Sequence, residues 1–136
     1  MTARKMMTVP RAIRQAIVAH ARQEWPRECC GFLIGAGGRA LFALRMANVA
    51  KSRVRYRIDD RAHIELRRVL RGIRPKVSIL GVYHSHPAGD AWPSETDVAD
   101  AFYPDWTHVI VGLEGRRPIV RAFRIRHGTV RQVPLH

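Results

Sequence analysis

His84 and His86 stand two residues apart at the end of an apolar run that begins near Val77, and Pro87 follows at once. Residues i and i+2 of an extended segment share a face, so both imidazoles can be aimed at one point. Asp97, one turn inside the helix that Ser94-Glu95-Thr96-Asp97 opens, can bring a carboxylate to the same place. Two imidazoles and a carboxylate suit a tetrahedral zinc ion with its fourth position open, the pattern of catalytic sites; structural sites are closed and usually use thiolates. Such an ion lowers the pKa of bound water to about 7. Amide hydrolysis also needs a carboxylate beside the metal but not on it, to carry a proton to the leaving amine. Glu28 is the candidate, because it heads the apolar stretch Cys29 to Gly35, where a solubility residue has little reason to stand.

Each of these residues has a plainer reading. Ser-x-x-Asp after a proline is an N-capping arrangement, so Ser94 can be a cap or a donor to the oxyanion of a tetrahedral intermediate. Asp97 can be a first-turn acid favoured by the helix dipole. Asp90 has ligand spacing but sits in a Gly-Asp turn and is read as loop solvation. His20 and His63 fall on helices, and His108, His127 and His136 lack local partners, so all five are read as non-ligands. Trp92 lines a cleft or is an exposed loop aromatic. Cys29 and Cys30 are adjacent, form no disulfide framework, and are read as reduced packing residues.

The positioning elements follow from periodicity. Thr8-Val9-Pro10 starts a helix with an apolar stripe of Ile13 and Ile17, stopped by Trp25-Pro26. Cys29 to Gly35 and Arg39 to Ala47 form a hairpin around a Gly-rich turn. Arg53 to Ile58 alternates as a further strand. Asp59-Asp60 caps a helix that runs to Gly72. Val77 to Tyr83 is the strand that feeds the histidines, and the helix from Ser94 extends to about Phe102. Strands at Trp106 to Gly112, Ile119 to Ile125 and Val130 to Val133 complete the chain. The expected fold is α/β, a three-layer α-β-α sandwich around a central mixed sheet, with residues 1–136 as one domain.

The 136 residues carry a formal net charge of +13, and all but three of the 24 basic residues are arginine. Five of the eleven acids fall between Asp90 and Asp105, so the histidine-bearing segment is acidic while the remaining surface is basic. A nucleic-acid module would place arginines and aromatics in its functional stretch, so nucleic acid is not the expected partner. No apolar run could span a bilayer, and the start MTARKMMTVPRAIRQ lacks the apolar stretch of a signal peptide; the expected location is the cytoplasm.

Taken together, Glu28, then His84-Ser85-His86-Pro87, then Pro93-Ser94-x-x-Asp97 resemble the JAMM motif of the JAB/MPN+ zinc metallopeptidases, a family that shares the JAB domain. Glu28 to Gly35 is similar to that family's glutamate-to-glycine strand. Asn48-Val49-Ala50 and Tyr56-Arg57-Ile58-Asp59 are similar to segments of its short prokaryotic members. The resemblance implies one catalytic Zn2+ on His84, His86 and Asp97, with Glu28 as general acid/base and Ser94 as stabiliser of the tetrahedral intermediate. It also implies hydrolysis of a peptide or isopeptide bond. The few residues between Asp97 and Thr107 leave no room for the insertions with which eukaryotic deubiquitinases grip linked ubiquitins. The resemblance therefore points to a ubiquitin-like or sulfur-carrier protein as substrate. An acidic carrier would give the basic surface a partner, with Arg67, Arg68 and Arg71 as steering charges. The competing readings are a non-catalytic MPN-type scaffold and a nucleic-acid-associated RadC-like protein. Metallo-β-lactamase-like hydrolases want an aspartate where Ala88 stands, and cupins are all-β.

Overall fold

The computed structural model describes residues 7–136. The first six residues, which carry part of the signal-peptide reading, lie outside the described residues. The elements are α1 (Arg11–Glu24), β1 (Cys30–Ala36), β2 (Arg39–Met46), α2 (Asp60–Arg71), β3 (Ser78–His86), α3 (Glu95–Ala99), β4 (Thr107–Gly112), β5 (Ile119–Arg126) and β6 (Thr129–Val133). One six-stranded sheet runs in the order β2-β1-β3-β4-β5-β6. Every neighbouring pair is antiparallel except β3 and β4, which are parallel, so the sheet is mixed.

Side-chain alternation divides this sheet into two apolar faces. On one, Leu33, Tyr83, Val109, Val111 and Ala122 pack with Ile17 and Ala21 of α1. On the other, Phe32 and Ile34 meet Leu66 and Leu70 of α2, while Ile110, Phe123 and Ile125 meet Val98 of α3 and Ala101 just beyond it. A sheet between α1 on one side and α2 with α3 on the other is the expected three-layer α/β sandwich. The buried Tyr83 hydroxyl is within 2.7 Å of His20 Nδ1, so the α1 layer is held by a hydrogen bond as well as by apolar burial. No helix among the described residues is long and apolar enough to cross a membrane.

Four boundaries differ from expectation. Residues 53–58 form no strand. Their alternation reflects a loop in which Val54 is 77 % exposed while Ile58 joins the α2 cluster. Strand β3 continues through both histidines instead of ending at Tyr83, because His84 and His86 pair with Ile110 and Gly112 of β4. Helix α3 stops at Ala99, where the Asp100 amide makes the last bond, to the Thr96 carbonyl, and the Ala101 amide tightens onto the Val98 carbonyl. At the start of α1 the cap is Pro10, and Thr8 instead forms a parallel bridge with Arg39.

Gly112 matters for position. A methyl group there would lie 2.6 Å from the Ala91 backbone nitrogen and 2.9 Å from the Asp90 carbonyl carbon. The missing side chain lets the 89–91 loop close over the sheet beside His86.

His108 of β4 pairs with Phe123 and is 5 % exposed, with Nε2 buried and unpartnered. Burial first, and the nearby His84 second, push its pKa down to about 4. An unfolded chain therefore takes up this proton first, near pH 6.5. The contribution is complete above that pH and is lost progressively as pH falls toward 4. Urea titrations of chelator-treated protein should show wild type losing about 2 kcal/mol more than His108→Leu between pH 7.5 and pH 5. Parallel curves for the two proteins would contradict this.

Candidate metal centre

The parallel β3–β4 pair places His84 and His86 on the face that carries α2 and α3, at the last two outward positions of β3. His84 lies opposite Cys30 of β1, and Glu28, two residues before Cys30, extends the same face. Asp97 arrives from α3 through a capping box. The Ser94 amide donates to Asp97 Oδ2 at 2.9 Å, and the Asp97 amide donates to Ser94 Oγ at 3.1 Å. That reciprocal pair satisfies two helix-end donors and fixes the carboxylate.

Three acceptor-capable atoms meet there. His84 Nε2 and His86 Nε2 are 3.2 Å apart, and each lies 3.0 Å from Asp97 Oδ2. His84 and Asp97 are both buried, and His86 is half-buried. His86 Nδ1 donates to the Asp90 carbonyl at 2.7 Å, which fixes the proton on Nδ1 and turns the Nε2 lone pair toward Asp97 in the neutral ring. Lone pairs of two imidazoles and a carboxylate converging in a dry site repel one another unless a cation sits among them. Tetrahedral zinc with bonds of about 2.0–2.1 Å sets its ligand atoms about 3.3 Å apart. The triangle is already close to that spacing, so the donor set fits the ion. Glu28 with the same two histidines makes a looser group, with ligand atoms within 4.8 Å of one another.

Electrostatics separate the two carboxyls. Burial alone would raise Asp97, but the contacts of its carboxylate with the His84 and His86 rings, which can donate only when their Nε2 atoms are protonated, and the Ser94 amide hydrogen bond outweigh it and hold the group far below the usual carboxylate range. Burial lifts Glu28 to about 8, opposed by His86 and reinforced by Asp97. Glu28 is 2 % exposed and its Oε1 has no hydrogen-bond partner. Burial lowers His84 despite the Asp97 contact, whereas for His86 the contacts with Asp97 and Asp90 overcome burial and raise it.

The loop of residues 48–57 forms one wall. Tyr56 stacks on the His84 ring, with centroids 4.5 Å apart and 25° between the planes. Asn48 ties the loop to Glu28: its Nδ2 donates to the Glu28 carbonyl at 3.0 Å and the Arg55 carbonyl at 3.1 Å. Its Oδ1 accepts from the Ala50 and Arg57 amides. The Glu28 amide in turn donates to the Ser52 carbonyl. Both backbone groups of Glu28 are thus gripped by residues 48–52.

A sequence profile of prokaryotic homologs of the JAB domain matches residues 10–126. The chain belongs to the prokaryotic JAB family. It is 36 % identical over 124 residues to the CysO-cysteine peptidase of Mycobacterium tuberculosis, covering 89 % of this chain and 84 % of that protein. It is 33 % identical over 110 residues to the desampylase of Haloferax volcanii, covering 76 % of this chain and 78 % of that one. The solution structure of protein DSY2949 from Desulfitobacterium hafniense superposes with a TM-score of 0.84 at 29 % identity, covering 96 % of this chain and 92 % of the other.

In this prokaryotic JAB chain, Glu28, His84, His86, Ser94 and Asp97 come together, whereas the other candidates do not join them. Trp92 is 48 % exposed and packs edge-on against Phe123. Cys30 turns its thiol to the Met46 and Ala47 carbonyls, and burial pushes it up to about 12, which suits packing and not attack. His63 accepts from Arg67, and Asp90 pairs with Arg121. In the sequence Asn48 and Tyr56 stand out only as parts of similar segments, and nothing in their spacing points to Glu28 or His84.

Asn48→Ala removes four hydrogen bonds from one loop and should cost about 2–3 kcal/mol in urea unfolding, with Asn48→Asp in between. A cost within about 0.5 kcal/mol, the range of an ordinary surface position, would contradict the clamp.

Proposed function

We propose that this chain is a zinc-dependent peptidase that hydrolyses an amide bond at the C-terminal end of a ubiquitin-like or sulfur-carrier protein. The observation that carries the reading is the 3.0–3.2 Å triangle of His84, His86 and Asp97 with a buried, unpaired carboxyl beside it. The names of its relatives, a CysO-cysteine peptidase and a desampylase, support the substrate class.

His84, His86 and Asp97 would hold the ion. Bound there, zinc would polarise the scissile carbonyl and acidify a water molecule. Glu28 takes the proton as water adds to the carbonyl carbon and returns it to the leaving amine as the C–N bond breaks. Its backbone is gripped on both sides, which fixes where the side chain leaves the chain, and its unpaired Oε1 is free to accept that proton. Ser94 Oγ already accepts the Asp97 amide, which leaves its hydroxyl proton to donate to the developing oxyanion. Capping and oxyanion stabilisation therefore coexist in one side chain. The Asp90 carbonyl keeps His86 in the Nδ1–H tautomer throughout.

The steering charges on α2 are unequal. Arg67 lies over the Tyr103 ring at 5.5 Å and the Trp106 ring at 6.0 Å, and Arg68 is paired with Glu65. Arg71, with no ion pair among the described residues, is the member of the trio best able to attract an acidic carrier.

The test is to measure bound zinc and turnover on a carrier fused at its C-terminus, an isopeptide-linked carrier and a short peptide. Glu28→Gln is expected to keep one zinc per chain and lose turnover by about 100-fold or more. Arg71→Glu should weaken carrier cleavage and spare the short peptide. Zinc-loaded wild type that cleaves neither carrier substrate would overturn the proposal in favour of a scaffold.

A further inference from the structure

On the sheet face opposite the metal centre, α1 and the start of β5 leave a hollow of about 560 Å³. Arg11, Arg14 and Arg22 line it along one stripe of α1, and Val18 and Val120 form its apolar floor. Arg22 and Pro118 also border an adjoining hollow of about 290 Å³, walled by Trp25, Leu113 and Arg116, so the two make one groove. The Leu113 amide donates to the His86 carbonyl at 3.1 Å, which puts the upper end of the groove at the sheet end that carries the histidines.

No lining residue is acidic, and none of the three α1 arginines has an ion pair among the described residues. The Nε of Arg14 is buried without a hydrogen-bond partner. A buried guanidinium nitrogen left unpaired is costly, and an anion in the groove would satisfy it. The stripe from Arg11 to Arg22 is about 17 Å long, the reach of five or six extended residues.

The floor decides which polyanion fits. Single-stranded nucleic acid prefers aromatic platforms under successive bases. Here the floor is aliphatic, and the single aromatic, Trp25, stands at one end and is 61 % exposed. Aliphatic floor and guanidinium rim match a peptide that alternates acidic and small apolar side chains.

We propose that this groove docks an extended acidic segment of a partner protein, with carboxylates on Arg11, Arg14 and Arg22 and aliphatic side chains on Val18 and Val120. The inference is independent of the catalytic reading, because it concerns the other face of the sheet and is read out by binding alone.

The probe is a fluorescein-labelled peptide, Glu-Ala-Glu-Leu-Glu-Ala-Glu-Leu, followed by anisotropy at about 150 mM salt, where general charge attraction is screened beyond about 8 Å. Wild type should bind it. R11E/R14E/R22E should weaken binding at least about tenfold, whereas R61E/R68E/R71E, which makes the same charge change on α2, should shift it less than about threefold. If the cleft triple variant does not fold, R11Q/R22Q, at two exposed positions, should still weaken binding about threefold. No binding by wild type, or equal weakening by the two triple variants, overturns the site. Tighter binding of a twelve-nucleotide oligothymidylate that is lost in the cleft variant overturns the peptide assignment.

Discussion

Three electron-rich atoms, two imidazole nitrogens and a carboxylate oxygen, are held within 3.0–3.2 Å of one another where little water can reach them. Left to themselves they would move apart, so the surrounding structure must hold them there. The parallel β3–β4 ladder sets the two histidines on one face, and the capping box fixes Asp97 at the start of a helix too short to be stable alone. The Asp90 carbonyl orients His86, and Gly112 makes room for the loop that brings that carbonyl near. Each contact holds a ring nitrogen or a carboxylate oxygen at a spacing that suits a cation.

The same constraint explains the different environments of the two carboxyls. Asp97 Oδ2 accepts the Ser94 amide and lies against both imidazoles, which favour its charge when protonated, and so it remains ionised despite burial. Glu28 is buried just as deeply but its Oε1 meets no partner, and burial lifts it to about 8, where the carboxyl can both take up and give back a proton near neutral pH. Two carboxyls whose environments push them in opposite directions suit the two tasks of ligand and proton carrier. The 48–57 loop extends this arrangement, since it fixes the Glu28 backbone at both its amide and its carbonyl and covers His84 with Tyr56.

Much of this was legible in the sequence because ligand chemistry limits both residue type and local spacing. His84 and His86 lie on one strand, and Ser94 and Asp97 lie on one helical turn, so short-range geometry sufficed for them. Glu28 was legible as an acid with no solvent role at the head of an apolar strand. The loop was not. Asn48 and Tyr56 act across gaps of 20 and 28 residues, on Glu28 and His84 respectively, through contacts without periodicity. Alternation over Arg53 to Ile58 imitated a strand because Tyr56 and Ile58 face inward for unrelated reasons, one against a histidine ring and the other against the α2 cluster. The end of α3 is hidden for a similar reason, because the Ala101 amide turns back to the Val98 carbonyl without a glycine or proline at the stop.

The most direct test is zinc-edge X-ray absorption on protein loaded with one equivalent of the ion. The account predicts a four-coordinate centre with two imidazole nitrogens and only nitrogen or oxygen neighbours at about 2.0–2.1 Å, and Asp97→Ala should abolish stoichiometric binding. A sulfur neighbour, or an unchanged spectrum and stoichiometry in Asp97→Ala, would contradict it.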